Sequence, residues 1–367
     1  MIRTIRLIKV LNYIASSPAF AIFSAGAFCC SVSFTAQAYE PPTENIRFQD
    51  RVIKQDKSKL DTPLIITDYR STPGVYGTVT SVGSDTLAGL MAIWAQRFQE
   101  LYPHIKFQIQ ATGSATASQA LTQGTAGIGP MSRVLSTQEI ADFTNVHGYP
   151  PTALVVAIDA IAVYVEKNNP IDKLTLRQVD ALFSATRLCG AKQTISFWQQ
   201  LGIDKFGENR RVQLFGRNSA SGTYDLFKQK ALCNGDYLRT VNEMPSSSSV
   251  VQSIASSVGG LGYAALGYQS NNVKTLALSL TGDAFYTPTP ENLRAGDYPF
   301  TRNLYLIVNK RPNEALATLE RTFLRFILST EGQTIVQDNG YFSVSDRVID
   351  RQLLQLNATP TSIEVLN

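Results

Sequence analysis

From Val79 onward, apolar and polar positions follow two alternating rhythms. Val79–Gly83 (VTSVG) predicts a strand, and Leu90–Tyr102 (LMAIWAQRFQELY) carries its apolar residues at helical spacing. Ile105–Ala111 alternates with period two, ASQALTQG predicts a second helix start, and AGIGP a short strand or turn. Strand, helix, strand, helix, strand predicts a mainly parallel α/β sheet. Ala153–Lys167 is long, rich in β-branched residues and interrupted by Asp159, which predicts one or two strands leading into a second domain. Thr175–Phe183, Val212–Phe215, Tyr224–Leu232, Val250–Val258 and Leu261–Tyr268 predict a second α/β set. Leu304–Lys310 predicts another strand, followed by helices over Ala317–Ser329 and Gly332–Gly340. The proline-bearing stretch near Asp283–Phe300 predicts a loop. No repeat of fixed period occurs, and Ser246–Ser249 is the one low-complexity tract.

Ahead of this regular part, residues 39–78 are polar and charged, with only PLIITDY suggesting a strand, and predict an N-terminal arm. Residues 1–38 have the layout of a secretory signal peptide. Arg3, Arg6 and Lys9 precede an apolar, small-residue stretch, and Ala36-Gln37-Ala38 fits the A-x-A cleavage pattern. Cys29 and Cys30 raise a lipoprotein alternative, against which Phe28 is too bulky for the small residue such a site takes. The mature chain is therefore expected to be periplasmic or secreted, with Cys189 and Cys233 as its remaining cysteines and one disulfide between them. Two cysteines and two scattered histidines make a poor zinc set, so neither metal nor cofactor is expected. At 367 residues and 44% hydrophobic content, the chain has room for two domains. Without the leader, basic residues only slightly outnumber acidic ones and no basic run is interleaved with aromatics, which argues against nucleic acid as a partner.

The candidate chemistry lies where strands give way to helices. In GRNSASGTYDLFKQKAL, Arg217 precedes Ser221, Gly222 and Thr223 at a predicted helix N-terminus. Free backbone N–H groups and the positive end of the helix dipole favour an anion there, and an arginine fork matches a tetraoxyanion. Three more turns share that character: Gly83-Ser84-Asp85-Thr86, Thr112-Gly113-Ser114 and Met131-Ser132-Arg133. In an open α/β sheet such turns face one crevice at the carboxyl ends of the strands. Taken singly, each also reads as an ordinary N-cap.

These turns, with YPFTRNLYLIVNK, resemble the phosphate-binding proteins of ABC transporters, the PstS family, from about Val79 to Ser345. The resemblance implies an α/β, two-lobed periplasmic-binding-protein fold of type II, each lobe a mainly parallel sheet flanked by helices. Lobe I would take 79–165 and 271–367, and lobe II 166–270. It implies inorganic phosphate as ligand, a membrane-embedded ABC permease as partner, and a monomer. The ligand groups carried over are Thr86, the backbone of Leu87, Ser114, Ser132, Arg217, Ser221, Gly222 and Thr223. Where many relatives place an aspartate that accepts a phosphate proton, this chain has Arg133. Asp85 is the best substitute acceptor, and it reads equally as a helix-capping carboxylate beside Thr86.

Other classes fit less well. A hydrolase using Ser84 or Ser221 needs an oriented base, and His104 and His147 both sit away from the strand ends that carry the turns. No Gly-x-Ser-x-Gly elbow or Walker motif occurs. A general oxyanion receptor, or an adhesive or structural exported protein with a degenerate cleft, are the alternatives.

Overall fold

The computed structural model describes residues 69–357. The leader, its cleavage site, Cys29, Cys30 and the arm through residue 68, including most of PLIITDY, lie outside the described residues. The end of the arm belongs to the body. The Tyr69 hydroxyl lies 2.7 Å from that of Tyr102, its ring meets Phe326 edge-on at 5.4 Å, and Val75 is buried.

β1 (Gly77–Val82), α1 (Ala88–Leu101), β2 (Ile105–Gln110), α2 (Ser114–Thr122), β3 (Ile128–Met131) and α3 (Thr137–His147) follow in the predicted alternation. β1 pairs in parallel with β2 and β3. The apolar run around Asp159 is one fifteen-residue strand, β4 (Thr152–Glu166). After it come β5 (Lys173–Thr175), α4 (Leu176–Phe183), β6 (Gln213–Arg217), α5 (Gly222–Ala231), β7 (Asn242–Met244), α6 (Ser247–Ala255) and β8 (Gly260–Ala265). The chain continues through β9 (Val273–Thr275), β10 (Ala277–Ser279), α7 (Pro290–Ala295), β11 (Thr301–Val308), α8 (Thr318–Ile327), α9 (Thr330–Asp338) and α10 (Asp346–Asn357).

Two parallel sets, β2-β1-β3 and β8-β6-β7, are joined through β11 and β4, giving the order β2-β1-β3-β11-β4-β8-β6-β7 with β9 also on β4. β11 and β4 are antiparallel to their neighbours. β4 changes partners partway: Thr152–Ala160 pairs with β11, whereas Ile161–Glu166 pairs with β8 and β9. The apolar cores divide at the same place. One gathers Val79, Trp94, Phe98, Leu306, Phe323 and Phe326, and the other Ile161, Phe183, Trp198, Phe227 and Tyr263. Residues 276–300, assigned from the sequence to the first lobe, place Leu276, Leu278, Leu293, Tyr298 and Phe300 in the second core.

A bulge in β4 opposite Leu304 and Tyr305 leaves backbone groups outside the ladder, and side chains complete them. The Gln333 amide donates to the Val156 carbonyl at 3.1 Å. Gln352 of α10 donates to the Val155 carbonyl at 2.8 Å and accepts from the Val155 N–H. The expected loop at 283–300 contains α7, capped by Thr289, started by Pro290 and stopped by Gly296 at φ 75°. Cys189 and Cys233 form the expected disulfide, closing a sequence separation of 44 residues.

Candidate functional site

Five loops at the carboxyl ends of parallel strands meet between the two cores: those after β1, β2, β3, β6 and β7. Glycines allow this closeness. Gly113, at φ 129°, packs so tightly on the loop before α5 that a Cβ there would lie 2.4 Å from the Ala220 carbonyl oxygen. A Cβ on Gly222 would meet Ser114 Oγ at 2.6 Å and Ser132 Oγ at 2.7 Å.

Buried hydroxyls line the junction. Ser84 donates to Ser132 Oγ at 3.0 Å, and Ser114 Oγ lies 3.2 Å from Ser132 Oγ while accepting from the Ser132 N–H. Thr86 and Thr223, from opposite sides, bring their Oγ1 atoms to 3.3 Å. Ser221 caps α5 by accepting from the Thr223 N–H at 3.1 Å.

Two arginines are buried among these groups, each with its own carboxylate. Arg217, 1% exposed, lies 3.0 Å from Asp85 Oδ2 and donates to Ser247 Oγ and to the Pro245 carbonyl. Its Nε is buried without a hydrogen-bond partner among the described residues. Asp85 also accepts from the Ser247 N–H at 2.9 Å, so it caps α6 from across the junction. Arg302, at the start of β11, donates to Asp159 Oδ2 from Nε at 2.9 Å and from a terminal nitrogen at 2.7 Å. Its remaining N–H groups reach Thr223 Oγ1 at 2.9 Å, Thr86 Oγ1 at 3.2 Å and the Ser132 carbonyl at 3.3 Å. Burial pulls the Arg217 guanidinium below its ordinary range; Asp85 opposes this and the nearby Arg302 charge adds to it. Burial likewise pushes the Asp159 carboxyl up, with Arg302 opposing. Buried ion pairs rarely improve on apolar packing for stability. Two of them lie in this one hydroxyl-lined junction, where stability alone gives little reason for either.

The structure thus brings together Asp85, Thr86, Ser114, Ser132, Arg217, Ser221, Gly222 and Thr223. Leu87 is nearby, with its side chain in the first core and its N–H donating to the Ser84 carbonyl at 3.3 Å. Arg133 enters only by its stem. Its guanidinium turns outward, donating from Nε to Asp225 at 2.7 Å and from its two terminal nitrogens to Glu139 at 2.7 and 2.9 Å. His104 is exposed at the amino end of β2, and His147 lies in the last turn of α3 with Nε2 3.1 Å from the Thr122 carbonyl. Neither reaches the hydroxyls.

Sequence reasoning did not assign Asp159, Ser247 or Arg302. A lone aspartate inside an apolar run and an arginine opening a buried strand are both unusual enough to signal two of them. Ser247 belongs to the SSSS tract, which is a helix start: Ser246 caps α6 with Ser249 in a reciprocal box.

The sequence model of the PBP superfamily domain matches residues 70–331. The phosphate-binding protein PstS of Pseudomonas aeruginosa is 49% identical over 292 residues, covering 79% of this chain and 90% of the relative. The chain belongs to the PstS family. PstS of Bacillus subtilis is 27% identical over 279 residues, 75% of this chain and 83% of the relative. A transporter substrate-binding protein from Clostridium perfringens, solved with bound phosphate, superposes with a TM-score of 0.62 at 25% identity, over 73% of this chain and 100% of that one. An ABC-type phosphate transport receptor from Vibrio cholerae shares the fold, with a TM-score of 0.55 and 21% identity. The type II two-lobed fold expected from the sequence is the fold of these PstS relatives.

Proposed function

We propose that the chain is an exported receptor that captures inorganic phosphate and delivers it to the permease of an ABC importer. The observation that carries this reading is the junction itself, where hydroxyls, helix N-termini and two buried arginines from both sides converge. Such an arrangement supplies many donors and fixed positive charge to a small oxyanion. We assign the ligand groups to Thr86, Ser114, Ser132, Ser221, Gly222 and Thr223 and to the backbone of Leu87, with Arg217 offering its unpartnered Nε. Asp85 orients Arg217 and is the candidate acceptor for a phosphate proton. Arg133 holds the two sides together from outside the site.

We place the lobe boundary where β4 changes partners, giving 69–160 and 301–357 to lobe I and 161–300 to lobe II. Closure of one lobe on the other then buries the ligand, because only the closed state offers donors from both. The protein acts by binding rather than catalysis, as a monomer in the periplasm after cleavage near Ala38. Among the described residues, no helix is long and apolar enough to cross a membrane.

Calorimetric titration of the refolded, anion-free mature protein with phosphate and, separately, sulfate tests the reading. Phosphate heat without sulfate heat is expected. Equal binding of both would replace phosphate with oxyanions in general, and binding of neither would favour the structural alternative.

A further inference from the structure

Arg302 stands outside every ligand set the sequence pattern supplied, yet it touches both threonines that face each other across the junction. Its position is fixed: two of its N–H groups end on Asp159 Oδ2 at 2.7 and 2.9 Å, and both residues are buried. A guanidinium can only donate. The Thr86 and Thr223 oxygens therefore accept from Arg302, at 3.2 and 2.9 Å, and each hydroxyl keeps its own proton to give elsewhere. The two oxygens lie 3.3 Å apart, and that contact uses one of the two protons at most. Arg302 also donates to the Ser132 carbonyl at 3.3 Å, tying the loop after β3 to the same guanidinium. A buried hydroxyl proton with no acceptor is costly, on the order of 1–3 kcal/mol. An oxyanion between the lobes supplies the missing acceptors.

We propose that Arg302, anchored on Asp159, is the positioning residue that sets the Thr86 and Thr223 hydroxyls as donors toward the bound anion. Without it, either threonine could rotate to donate to the other, and the site would present an acceptor where it needs a donor. This rests on the phosphate-receptor reading and adds to it a group that acts through others.

A thermodynamic cycle read by phosphate calorimetry tests it. One variant replaces the ion pair by apolar residues, Arg302→Met with Asp159→Leu, an exchange that buried pairs often tolerate. The second carries Thr86→Val with Thr223→Val, and the third carries all four changes. The expected result is a loss of at least about tenfold in phosphate affinity for each of the first two, with the four-fold variant no weaker than the threonine variant. Unfolding midpoints in phosphate-free buffer are measured alongside. Should the apolar pair not fold, Arg302→Lys takes its place in the same cycle, with the same non-additivity expected. Affinity within threefold of wild type for a folded Arg302 variant overturns the proposal. So do losses that add fully, or a loss seen only where the phosphate-free midpoint collapses. Absence of phosphate binding by the wild-type protein would instead show in the first titration and would remove the receptor reading.

Discussion

At the residue scale, Gly222 makes the sharpest prediction. Its backbone does not need glycine's left-handed freedom, so alanine is tolerated in an open lobe; what forbids a Cβ is Ser114 and Ser132 on the opposite side, at 2.6 and 2.7 Å. Gly222→Ala should therefore lower phosphate affinity by roughly 5- to 150-fold, the equivalent of an overpacking cost of 1–3 kcal/mol. The urea midpoint of the phosphate-free protein should hardly move. A large drop in that midpoint with affinity intact would mean that Gly222 serves the fold and not closure. The same residue shows what the sequence could reveal. Ser-Gly-Thr after a strand announces a helix N-terminus, because the rule is local and chemical. The side chains that would collide with a Cβ, Ser114 and Ser132, come from two loops far earlier in the chain, and no local pattern carries that information. Arg302 and Asp159 were hidden for the same reason: each looks like an isolated irregularity until β4 and β11 pair and bring them together.

At the element scale, local start and stop signals were legible where nothing nearby contradicts them. α3 starts at Ser136 with Glu139 completing a capping box, and α7 lies between Thr289-Pro290 and Gly296. The latter signals were present in the sequence but were outweighed by the prolines of the surrounding loop. What α10 does at the β4 bulge, where Gln352 completes the Val155 backbone, is defined only by the folded sheet. Glu139 carries a pH prediction. Burial raises its carboxyl, but hydrogen bonds from Arg133 and the Ser136 N–H, with the Arg133 charge, outweigh that and hold it below its ordinary value. A carboxylate lowered on folding stabilises the protein above its unfolded pKa of about 4.3 and loses that contribution as pH falls through the lower folded value. The stability difference between wild type and Glu139→Gln should stay level from pH 7 to 5 and shrink in acid. A difference that persists undiminished at pH 2.5, read by urea unfolding, would show that the charge is not what Glu139 contributes.

At the scale of the whole molecule, ligand binding and folding are linked. A ligand that binds only the folded, closed form stabilises it by about 2.7 kcal/mol at a hundred times its dissociation constant. Phosphate should therefore raise the unfolding midpoint in proportion to the logarithm of its concentration, and a midpoint indifferent to phosphate would contradict capture by closure. The two α/β sets were legible in the strand and helix alternation, whereas the point at which β4 passes from one set of neighbours to the other was not. Periodicity alone cannot tell which neighbours each half of a strand will have, and β4 serves both sheets within one unbroken run. That shared strand limits how the protein can be divided. A gene cut between Ala160 and Ile161 would leave the first product without β11 and α8–α10, and would leave the second with those same apolar elements attached to lobe II but cut off from the core they complete, so neither fragment is a self-contained folding unit. Independent expression of one half should yield insoluble protein, and recovery of a folded receptor should require both pieces to be made together.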